Sequence, residues 1–116
     1  NPYVRGWSLQ LALEDRNAGD ALVARMGELA SQDPSPIVRL YVASAVQRIP
    51  VEKRAAILEG LLSHAEDADD HNLPLLYWYA AEPVVAADAK AGALLLARNK
   101  IPKLRTFISR RMVAGK

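Results

Sequence analysis

The stretch Asp33–Pro50, DPSPIVRLYVASAVQRIP, decides the fold of this chain. It reads as one helix with both ends marked. Ser35 is placed to cap it, Pro36 fits a first turn where a missing N–H costs nothing, and Pro50 bars continuation. Val38, Tyr41, Val42, Ala45, Val46 and Ile49 recur at helical spacing and predict its buried face.

The pattern recurs. With Pro2, Pro36, Pro74 and Pro102 in register, Val4, Val38, Leu76 and Leu104 stand two residues later. Arg5, Arg39, Tyr77 and Arg105 come next, and Trp7, Tyr41, Tyr79 and Phe107 stand five after each proline. The intervals are 34, 38 and 28 residues. A proline, an aliphatic, an arginine (a tyrosine in the third copy) and an aromatic at fixed offsets define a helical repeat, with one more amphipathic helix between successive copies. One helix pair cannot bury its own apolar face, so neighbours stack and share a core. The aliphatic and the aromatic are predicted to enter that core. The arginine sits at its edge, its stem packed and its head reaching a carboxylate or carbonyl of the next repeat.

The expected architecture is all-α: a right-handed α–α superhelix, a solenoid of about seven antiparallel helices, forming one domain over residues 1–116. The predicted helices run from Pro2 to about Glu14, from Asp20 to Gln32, over the opening stretch, and from Pro50 with Ile57, Leu58, Leu61 and Leu62 as its stripe. A further helix is capped by Asn72 and interrupted near Pro83. Two more start near Asp88 and at Pro102. The Val-Arg pair after Asp33 resembles the HEAT repeat, in which such a pair follows an acidic residue on the second helix. Asn1, Asn72 and Asn99 stand near that acidic place in the other copies.

Composition fits a soluble-type core: 51% hydrophobic and 24% charged residues. No apolar run approaches the ~20 residues that span a bilayer. With no cysteine, disulfides, thiolate metal sites and covalently attached haem are excluded within these residues. The start at Asn1, already inside a helical pattern, reads as a segment of a larger multidomain protein. Net charge is +2, unevenly spread. No acid follows Asp88, whereas Arg98, Lys100, Lys103, Arg105, Arg110, Arg111 and Lys116 do.

Three features are candidates for chemistry. The loop HAEDADDHN, residues 64–72, gathers His64, Glu66, Asp67, Asp69, Asp70 and His71, residue types that hold divalent cations. Its spacing is not that of an EF-hand, and the competing reading has Asp69, Asp70 and Asn72 capping the following helix. In the run Tyr77-Trp78-Tyr79, successive residues point about 100° apart. Tyr79 follows the repeat into the core; Tyr77 and Trp78 are read first as core or inter-repeat packing, with a partner surface lined by Tyr77 or Trp78 as the alternative. Lys103, Arg110 and Arg111 form a basic C-terminal face, the basis of an alternative reading as a nucleic-acid-binding module. Gly-rich phosphate loops, nucleophile elbows and His-Glu-x-x-His are absent from the sequence, so no catalytic residue is assigned.

The runs Asp33–Tyr41 and His64–Leu75 with Tyr77-Trp78-Tyr79 together resemble the helical-repeat segment of large haem-binding C-x-x-C-H proteins of planctomycetes and verrucomicrobia, the putative membrane-bound dehydrogenases. The resemblance implies an exported parent with a sugar-dehydrogenase-like β-propeller before the repeats and a c-type cytochrome domain after them. It implies haem c in the parent and no cofactor in this segment. The segment's expected role is a non-catalytic scaffold between redox modules, with neighbouring domains or a protein as partner.

Overall fold

The computed structural model describes residues 2–3 and 20–114, and every helix expectation over residues 4–14, with Val4, Arg5 and Trp7, lies outside them. The described chain is all-helical: six α-helices, with short 3-10 turns between them. We label them α1 (Asp20–Gln32), α2 (Pro36–Ala45), α3 (Ala55–Leu62), α4 (Leu73–Ala87), α5 (Ala89–Arg98) and α6 (Pro102–Ala114).

Local chemistry sets most helix ends. Ser35 Oγ accepts from Ile37 N–H at 3.2 Å, Asp33 Oδ1 accepts from Ser35 N–H at 2.9 Å, and Pro36 is the first helical residue. Asp88 Oδ1 accepts from the N–H groups of Lys90 and Ala91 and starts α5. Asn99 ends it, its N–H donating to the Leu95 carbonyl at 2.9 Å, and its side chain clasps Ile101 ahead of α6, donating to its carbonyl at 2.8 Å and accepting from its N–H at 3.1 Å. Each cap satisfies helix-end groups that packing alone leaves bare.

Four boundaries differ from expectation. The opening helix is α-helical only to Ala45 and tightens into a 3-10 turn over Val46–Arg48. Pro50 is followed by a second such turn, Val51–Lys53, before α3. Asn72 precedes α4 but makes no side-chain cap. Asp70 does that work, its Oδ1 accepting from the N–H groups of Asn72 and Leu73 at 2.8 and 2.9 Å. Pro83 does not interrupt α4, which runs through it to Ala87 with Val84 and Val85 buried beyond it. Packing of those two valines outweighs the hydrogen bond a proline forfeits.

Alternate helices touch: α1 with α3 and α3 with α5 in one layer, α2 with α4 and α4 with α6 in the other. The core lies between the layers. Met26, Val38, Val42, Ile57, Leu58, Leu61, Tyr77, Leu95, Leu104 and Ile108 are all fully buried in it. The α1–α3 contact is close because Gly60 has no side chain. A Cβ there would stand 2.9 Å from Ser31 N and 3.0 Å from Ala30 Cβ.

The repeat positions divide. Val38 and Leu104 are core, and Leu76 is partly buried against it. Tyr41 and Phe107 are half-buried. Tyr79, expected inside, is 59% exposed, whereas Tyr77, read first as core and otherwise as partner surface, is fully buried. In α2 the residues two, three, six and seven after the proline are buried (Val38, Arg39, Val42, Ala43), in α4 those three, six and seven after it (Tyr77, Ala80, Ala81), and in α6 those two and six after it (Leu104, Ile108). The aromatic five after the proline lies at the margin of the buried face in α2 and α6 and outside it in α4.

Candidate functional site

Where chemistry-bearing side chains converge, they do so around Asp67. Asp67 lies in the 3-10 turn Ala65–Asp69 between α3 and α4, and is 3% exposed. Arg39, on the first turns of α2 and 1% exposed, reaches it with a two-pronged guanidinium. Nε donates to Oδ2 and Nη2 to Oδ1, both at 2.7 Å. Arg39 Nη1 donates to the Asp33 carbonyl at 3.2 Å. The Tyr77 hydroxyl, from α4, donates to Asp67 Oδ2 at 2.7 Å. Arginine and tyrosine hold equivalent places in the second and third copies of the repeat, and both are spent on one carboxylate.

Short, bidentate, charge-assisted bonds of this kind are the strong ones. They are needed, because a desolvated charge without a partner is costly. The hydrogen bond and charge of Asp67 hold the Arg39 guanidinium above its usual value despite burial. Burial first, and the bond to Asp67 second, push the Tyr77 phenol far above its usual range. Tyr77 is therefore a neutral donor and Arg39 a fixed cation. The cluster joins the α1–α2 connection, α2, the α3–α4 connection and α4 into one rigid joint.

The rest of the acidic loop is engaged beside it. His64 Nε2 lies 2.6 Å from the Ala30 carbonyl of α1 and Nδ1 lies 3.1 Å from Glu66 Oε2. Glu66 is exposed, and its carboxyl is held below the usual range, first by a backbone hydrogen bond and then by His64. Asp70 is held below its usual range by the backbone N–H groups of Leu73 and Asn72. Asp69 and His71 are exposed. The metal reading thus loses Asp67 to an internal ion pair, His64 to a backbone carbonyl and Asp70 to a helix cap. Among the described residues, no three His, Asp or Glu side chains are grouped to hold a metal ion.

The candidate partner surface is also redistributed. Tyr77 leaves it for the core. Trp78 is partly buried, its ring 5.5 Å from that of Phe107. Lys103, Arg105 and Arg110 are exposed, and Arg111 donates from Nε to Glu82 Oε1 at 3.0 Å. A surface cleft of about 380 Å³ lies among α4, α5 and α6, lined by Val85, Leu96, Met112 and Val113 with Arg111. A second, of about 370 Å³, lies between Val51, Ala55, Val84 and Ala91 with Glu52 and Asp88.

Sequence reasoning missed two residues. Asp67 as the partner of Arg39 was hidden by 28 residues of separation, although a buried arginine demands a carboxylate somewhere. Arg54, 8% exposed, donates to three backbone carbonyls: Ile49 at 2.8 Å, Gln47 at 3.0 Å and Ala80 at 3.1 Å. Burial lowers its affinity for its proton from the usual arginine value. It closes the end of the opening stretch against α4, a role no local signal announces.

Compared with family models, curated proteins and solved structures, the chain has no significant match in any of them. Among the described residues no helix is long and apolar enough to cross a membrane.

Proposed function

We propose that this chain is a non-catalytic helical-repeat scaffold, a HEAT-like right-handed superhelix that holds protein modules in fixed relation. The observation that carries this reading is the Arg39–Asp67–Tyr77 joint. The residues best suited to chemistry are consumed in fastening one helix pair to the next. Helices fastened through such a buried joint are suited to spacing and docking. The proposal includes the parent implied by the sequence resemblance: an exported, multidomain haem-binding protein in which the segment lies between redox modules.

The test is cross-linking mass spectrometry on the intact parent in its native host, reading links from Lys100 and Lys103. Links to other modules of the same chain or to one defined protein support the scaffold. Links to nucleic acid alone, under photochemical cross-linking, overturn it. Reading the open reading frame downstream for C-x-x-C-H tests the parent separately, and its absence removes the haem-protein assignment.

A further inference from the structure

The outer side of α4 carries an apolar pair that the core does not use. Leu75 is 39% and Tyr79 59% exposed, and four residues apart they share one face. Trp78 lies beside them, and its contact with Phe107 continues the patch onto α6. Lys103 and Arg110, both exposed, stand four residues before and three after Phe107, so they flank it on that helix. The patch is apolar on α4 and basic on α6.

No carboxylate of α5 or α6 can neutralise that margin, since the sequence holds no acid after Asp88. The nearby Glu82 is engaged by Arg111. Conversely, α4 has no lysine or arginine from Leu73 to Ala87. A nucleic-acid strand needs cations repeated along its path, and here they stop at one helix. Apolar anchors beside a one-sided basic margin fit an amphipathic segment with acidic residues along one edge.

We propose that this surface between α4 and α6 docks an acidic peptide segment of a partner protein, its apolar side chains on Leu75, Tyr79 and Trp78 and its carboxylates toward Lys103 and Arg110. This rests on the scaffold reading and names the partner's chemistry.

The test uses the full 116-residue chain and a fluorescein-labelled helical peptide with leucine and tryptophan on one face and glutamate along one edge. Binding is read by polarisation. Charge reversal with Lys103→Glu and Arg110→Glu, both at exposed sites, is expected to weaken binding by roughly tenfold or more. A peptide with lysine in place of glutamate should recover that loss on the reversed chain. Tyr79→Ala should weaken both pairings. No binding, or binding indifferent to charge reversal, overturns the inference. So does tighter binding to a single-stranded oligonucleotide or to anionic phospholipid vesicles. Failure here with protein cross-links intact in the parent removes the acidic-peptide assignment and leaves the scaffold.

Discussion

Arg39 and Asp67 face each other across two successive helix pairs, joined by two bonds of 2.7 Å with both side chains almost wholly withdrawn from water. Such a pair is a poor source of net stability, yet losing one partner is severe, because the other charge stays buried. Its contribution is to fix which surface of α2 meets the α3–α4 connection. Variation at Arg39 should therefore be read in folding, not in loss of a binding residue.

Tyr77 provides a graded probe of the same joint. Tyr77→Phe removes one of the donors to Asp67 without opening a cavity, and should cost about 1–2 kcal/mol in urea denaturation. The phenol also sets an alkaline limit. Its folded value lies above the ordinary tyrosine value of 10.0, so its contribution is complete below that pH and is lost as pH rises beyond it. Spectrophotometric titration should show one tyrosine that ionises only with unfolding, and in Tyr77→Phe that late step should vanish.

Asp70 should set part of the acid limit. Its folded value is depressed by the N–H groups it caps, so its contribution is present above the ordinary carboxylate range and is lost as pH falls through the folded value. Asp70→Ala should cost about 0.5–2 kcal/mol at neutral pH, in the range of other N-caps. It should also flatten the loss of stability below about pH 4. Asn72→Ala should be close to neutral, since its side chain caps nothing. Equal losses for the two would contradict the assignment.

Two glycines separate close packing from helix propensity. Gly60→Ala should destabilise by about 1–3 kcal/mol, because its Cβ would press on the backbone at Ala30 and Ser31. Gly27→Ala meets nothing within 4 Å and lies inside α1. It should stabilise by about 0.4–1 kcal/mol. Thermal melts of the two variants should move in opposite directions.

Much of the fold was legible where the signal is local. Ser35, Pro36, Asp88 and Pro102 mark helix starts through side-chain bonds and fixed φ, and they stand where expected. What failed depended on neighbours. The proline register placed Tyr79 inside, but the buried face of α4 runs through Tyr77, Ala80, Ala81 and Val84 and leaves Tyr79 outside it. Pro83 was given too much weight, because propensity does not see Val84 and Val85 packing beyond it. At the site, the arginine's appetite for a partner carboxylate was readable. Which of Glu66, Asp67, Asp69 or Asp70 would answer it was not, since Asp67 is aimed inward by a 3-10 turn and meets partners on α2 and α4 that are distant in sequence.

A double-mutant cycle on Arg39 and Asp67 tests the central claim most directly, with Arg39→Met, Asp67→Asn and the pair together followed by urea denaturation. The joint predicts single losses of about 3–5 kcal/mol and a double variant that loses at least ~2 kcal/mol less than their sum. Additivity within about 0.5 kcal/mol, or an Arg39→Met chain as stable as the unsubstituted one, would contradict it.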